Sequence, residues 1–105
     1  MKVRARKEYK SRHYRKERFH GQEEFYHEPY VIRLDWIPES REERKALKQA
    51  SPPRLISAAT EEELEEEYRR VVEHYTTLIS AYREIERDRR AAKREFQSSE
   101  EEFHF

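Results

Sequence analysis

The chain has 105 residues, 44% of them Asp, Glu, Lys or Arg and only 34% apolar, and its 23 bases and 23 acids leave no formal net charge. That length suits one domain, but a charged fraction well above the usual ~25% implies a small core whose stability a partner or a second copy completes. The absence of cysteine excludes disulfides, thiolate zinc sites and cysteine nucleophiles, and a single glycine excludes the phosphate-cradling loops that need several.

Residues 2–9 (KVRARKEY) alternate as a strand does, Val3, Ala5 and Tyr9 to one side and Arg4, Arg6 and Glu8 to the other. They open a basic stretch: residues 1–20 hold nine Lys and Arg against Glu8 and Glu17. Gly21, the only glycine, sits between aromatic flanks in FHGQEEF and turns the chain back from a strand over 12–19 to one starting near Phe25. A helix over 6–19 competes with this reading, but Tyr9, Tyr14 and Phe19 recur every five residues and would spread around it.

PYVIRLDWIP, residues 29–38, is the best strand, with Tyr30, Ile32, Leu34 and Trp36 on one face and Val31, Arg33 and Asp35 on the other. Pro29 and Pro38 bracket it, where a missing ladder hydrogen bond does no harm. Ser40 and Glu43 form a capping box that opens a short helix over 40–50, stopped by Ser51-Pro52-Pro53. Residues 51–60 read as a linker, with Leu55 and Ile56 tucked on the core.

From Leu64 an apolar stripe runs through Tyr68, Val71, Tyr75, Leu78, Tyr82 and Ile85 at four-three spacing, with no Gly or Pro between Thr60 and Phe96. The spacing predicts a helix over 60–97, capped by Thr60 and Glu63. Its acidic beginning, EEELEEE, and the basic run from Arg87 to Arg94 complement the helix dipole, and Glu65–Arg69, Glu66–Arg70 and Glu86–Arg90 are expected as i,i+4 pairs. Val72 and Ile79 widen the stripe, which implies more than one packing neighbour. The closing EEFHF reads as a frayed end within a tail over 98–105.

The expected fold is α+β, one domain over 1–105: a basic N-terminal arm or strands (1–20) and a strand region (24–37) packed on the long helix. A mainly helical hairpin or coiled-coil-like fold is the alternative. No apolar run approaches the ~20 residues of a membrane span and no secretory leader is evident, so a cytoplasmic protein with no membrane contact is expected.

Function follows from charge and from what is missing. Arg4, Arg6, Lys7, Lys10, Arg12, Arg15, Lys16 and Arg18 offer phosphate contacts, and Tyr9 and Tyr14 offer stacking faces, so non-sequence-specific DNA or RNA contact is one expectation. No zinc finger, helix-turn-helix or ribonucleoprotein motif surrounds them. The other expectation is a scaffolding adaptor, in which the stripe Tyr68, Val71, Tyr75, Leu78, Tyr82 and Ile85 supplies an interface to a second copy or a larger complex. The carboxylates lie in solvated runs and no nucleophile–base motif is present, so no enzymatic activity and no cofactor are expected. His13, His20 and His27 recur every seven residues, but Gly21 breaks the helix that would align them and their spacing matches no zinc motif.

Overall fold

The computed structural model describes residues 1–98, so the EEFHF end lies outside the described residues. Along the chain run β1 (Lys2–Tyr9), β2 (Tyr14–Phe19), β3 (Gln22–His27), β4 (Tyr30–Ile37), α1 (Arg41–Ala50), β5 (Leu55–Ala58) and α2 (Glu61–Ser98). The fold is α+β, as its residue patterning implied.

β4 is the central strand of a three-stranded antiparallel sheet ordered β1-β4-β5. It pairs with β1 from Lys2↔Ile37 to Tyr9↔Tyr30 and with β5 from Tyr30↔Ala58 to Arg33↔Leu55. Its period-two face lies under the first half of α2. Ile32 and Leu34, at 0% and 1% exposure, join Ile56, Ala58, Leu64 and Val71 in the core, with Val3, Tyr30, Trp36, Tyr68 and Tyr75 packed around them. The Trp36 and Tyr75 rings meet edge to face at 6.1 Å, and the Trp36 indole donates to the Pro53 carbonyl at 2.9 Å. That bond ties the segment before β5 to the sheet.

The stretch read as a linker thus contains a strand. β5 has four residues, too few to show a period, and it follows two prolines; pairing with β4 makes it a strand. It buries Ile56 and leaves Leu55 43% exposed, so only one of the two expected core residues is covered.

α2 spans 38 residues, roughly 57 Å of rod, more than the sheet can cover. The Thr60 hydroxyl accepts from the Glu63 amide at 3.2 Å and caps it. Beyond the sheet α1 takes over as the neighbour, which accounts for the widened stripe: Ala46 on α1 and Ile79 on α2 are buried. Ser40 caps α1, accepting from the Glu43 amide at 3.1 Å, and Ser51, in the left-handed region at φ 48°, ends it. The molecule extends 76 × 34 × 17 Å, two layers thick, with a radius of gyration of 20.9 Å against about 13 Å for a compact chain of this length.

The expected i,i+4 pairs give way to pairs between elements. Glu65 binds Lys7 of β1, Arg90 binds Glu42 of α1, and Glu86 accepts from Lys45 of α1 at 2.9 Å, while Arg70 turns to Glu67. Sequence spacing shows which charges are neighbours on one helix; docking supplied nearer partners. The Lys45 hydrogen bond holds Glu86 below the usual carboxylate range, and the Glu42 carboxyl is lowered first by its own backbone amide and then by Arg90 and Arg87.

Two outcomes are expected. Leu34→Ala should lower unfolding stability by about 2–5 kcal/mol in urea titration, and Ile85→Ser, at a position 52% exposed, by no more than about 0.5 kcal/mol; equal losses would mean the core is misassigned. Because Glu42 and Glu86 are lowered in the folded state, their stabilisation is present above the unfolded carboxylate pKa of about 4.3 and is lost as pH falls through the folded values. The urea midpoint should fall below about pH 4, and fall less in Lys45→Met/Arg90→Met. An equal acid loss in that variant would contradict the pairing.

Candidate interaction surface: the β2–β3 arm

Among the described residues β2 and β3 pair only with each other, from Tyr14↔His27 to Phe19↔Gln22, and all twelve of their residues are exposed. They form a two-stranded arm projecting from the β1–β4 end of the sheet. His20 and Gly21, at φ 49° and 77°, are its two-residue turn, and hairpins of this type require positive φ at both positions. Gly21 meets that demand without strain, whereas His20 holds a left-handed conformation and packs its ring on Phe19 at 4.3 Å.

A joint separates arm from sheet. Tyr9 faces Tyr30 and Tyr14 faces His27, so the first strand spends five steps where its partner spends three. The two extra residues form a turn in which the His13 amide donates to the Lys10 carbonyl at 3.0 Å. His13 and His27 bond the Glu28 and Ser11 carbonyls through their rings. The Glu28 carboxylate, only 12% exposed, accepts from Arg15 of the arm at 3.0 Å and from Ser57 of β5 at 2.8 Å. Arm, joint and sheet edge therefore meet at one acid.

The arm is electrically neutral: Arg15, Lys16 and Arg18 face Glu17, Glu23 and Glu24. On one face Glu23 lies 3.0 Å from Lys16 and 3.1 Å from Arg18, and Lys16 stands over Phe25 at 6.0 Å. On the other, Arg15 pairs with Glu17 and lies over Tyr26 at 4.9 Å, and the Tyr26 hydroxyl donates to Glu24. That acceptor and its charge raise the Tyr26 pKa. What remains on display is aromatic: Tyr14, Phe19 and Phe25 are each more than half exposed and Tyr26 is 39% exposed.

The residues assigned to nucleic-acid contact do not form one surface. Tyr14, Arg15, Lys16 and Arg18 are on the arm, and Lys10 and Arg12 in the joint. β1 sends Arg4 and Arg6 to the face away from α2, and Lys7 and Tyr9 to the helix side, where Lys7 binds Glu65 and Tyr9 meets Tyr30 edge to face at 5.3 Å. On the outer face Glu8 gathers Arg6 at 2.9 Å, Arg33 at 3.5 Å and Lys10 at 3.6 Å. Burial pushes the Glu8 pKa up, but these three cations outweigh it and hold the group low. Arg4 and Arg12 have no carboxylate within ion-pair distance among the described residues. Of the expected interface stripe, Tyr68, Val71 and Tyr75 face the chain's own sheet, Leu78 and Tyr82 are half-buried and Ile85 is exposed.

Phe25 and Tyr26, expected only as the start of a strand near Phe25 and not as a contact surface, stand exposed on the arm. Glu23-Glu24 before them and His27-Glu28 after them were the available signal. His20 lies at the arm's tip while His13 and His27 lie at the joint, and among the described residues no three His, Asp or Glu side chains converge on a metal-sized site. Among the same residues no helix is long and apolar enough to cross a membrane. Comparison with protein-family models, curated proteins and solved structures finds no match to the chain.

A Cβ at Gly21 would meet open space, so Gly21→Ala costs only its left-handed backbone, about 1–2 kcal/mol. Trypsin cleavage after Arg18 should accelerate roughly fivefold or more at an unchanged urea midpoint, because local opening sets the rate. A midpoint that falls with it would show the arm folding as one unit with the sheet.

Proposed function

We propose that this chain is a non-enzymatic interaction subunit that engages a protein partner through the β2–β3 arm. The observation that supports the reading most is the pairing of a fully exposed, charge-neutral ribbon with four aromatic rings on its surface. Aromatic side chains supply large contact area at low entropic cost and are enriched in protein interfaces, whereas a phosphate-binding arm gains affinity from unneutralised cations. The adaptor reading also holds that the protein is cytoplasmic, binds no cofactor and joins a larger complex or a second copy through Leu78, Tyr82 and Ile85.

Nucleic-acid contact through residues 4–18 is the competing reading, favoured by Arg4 and Arg12. Six of its eight cations already have carboxylate partners, and binding phosphate there would break those pairs.

Photo-cross-linking in cells from a benzophenone side chain at position 25 separates the two. A defined protein adduct that resists nuclease and disappears with Tyr14→Ser, on the same face of the ribbon as position 25, supports the adaptor. Nuclease-sensitive adducts, or none, would overturn it.

A further inference from the structure

A group of cations that acids only partly match lies at the far end of the molecule from the arm. Where α1 docks on α2, a groove of about 780 Å³ is lined by Arg41 and Lys45 from α1 and by Arg89, Arg90, Lys93 and Arg94 from α2. Two carboxylates stand among these six cations: Glu42 takes Arg90, and Glu86 takes Lys45 at 2.9 Å with Arg89 at 4.0 Å. Arg41, Lys93 and Arg94 are exposed and have no carboxylate within 4.0 Å among the described residues.

The last turn of α2 carries no base, so the expected complement to its dipole is missing there and the dipole does not account for the basic run before it; Arg41 is no better placed. It occupies the first position of α1, the positive end of that helix, where a cation is disfavoured. The antiparallel docking then sets it beside a cluster that already repels it. Folding therefore brings together charges from two helices that neither helix calls for.

We infer that this groove binds the phosphodiester backbone of a nucleic acid without regard to sequence. Along α2 its cations recur at each turn, about every 5.4 Å, which suits a chain carrying a charge every few ångströms. Four of the six are arginines, whose planar forks bind phosphate oxygens in pairs. Among the described residues no apolar side chain lines the groove to meet a lipid tail, which favours a nucleic-acid strand over a membrane surface. Such a site would let the arm hold a protein while the α1–α2 end holds nucleic acid.

The test is fluorescence anisotropy of the full chain with labelled single- and double-stranded oligonucleotides across salt concentration. Arg41→Gln/Lys93→Gln/Arg94→Gln should weaken duplex binding at least tenfold and flatten the slope of log K against log salt by about 2.7, or roughly 0.9 for each phosphate no longer neutralised. Lys93→Gln/Arg94→Gln, which removes no buried group and no ion pair among the described residues, should show about two-thirds of that flattening if the triple variant loses helicity. Arg15→Gln/Lys16→Gln/Arg18→Gln should bind as the unchanged chain does. No binding at low salt, binding only to anionic vesicles, or loss in the arm variant with the groove variants unaffected would each overturn the inference.

Discussion

Everything in this structure depends on covering one face of one strand. β4 carries Ile32 and Leu34 between two neighbouring strands, and among the described residues the half of α2 from Leu64 to Tyr75 is the only element that lies over them. A chain with so few apolar residues can close one such contact and no second layer. The opposite face of the sheet is accordingly left to charge, with Glu8 set among Arg6, Lys10 and Arg33. Val31 on that face is nonetheless inaccessible, flanked in register by Glu8 and Ser57.

Once the sheet is covered, the excess length on both sides of the contact becomes surface. The hairpin continues past β1 and β4 as the arm, and α2 continues past the sheet with α1 beside it. The same charge-rich composition serves the two extensions differently. On the arm the cations and acids alternate across the ribbon and cancel, leaving the aromatic rings as its distinguishing feature. At the α1–α2 end the cations accumulate, because the acidic run of α2 lies at its other end. A chain of zero net charge thus has one neutral extension and one cationic one.

Much of this was legible in the residues. The period of two in PYVIRLDWIP and the four-three stripe from Leu64 each name a buried face, and those faces meet. Gly21 marked the turn. β5 was not legible, since four residues after two prolines show no period and pairing alone defines them. The site was less legible than the fold, for a physical reason: local spacing says which charges are present, while pairing across strands says which are spent. Lys16 and Arg18 look free in the sequence until Glu23, from the opposite strand, stands beside both. Arg41 likewise looks like an ordinary first-turn residue until α1 docks more than forty residues away in sequence.

Native-state amide hydrogen exchange in rising denaturant tests most directly whether one β4–α2 contact carries the fold and the arm stands outside it. β4 and residues 64–79 of α2 should exchange only by global unfolding, while residues 14–27 exchange through a local opening insensitive to denaturant. Arm amides as protected as those of β4, or β4 amides that exchange without global unfolding, would contradict it.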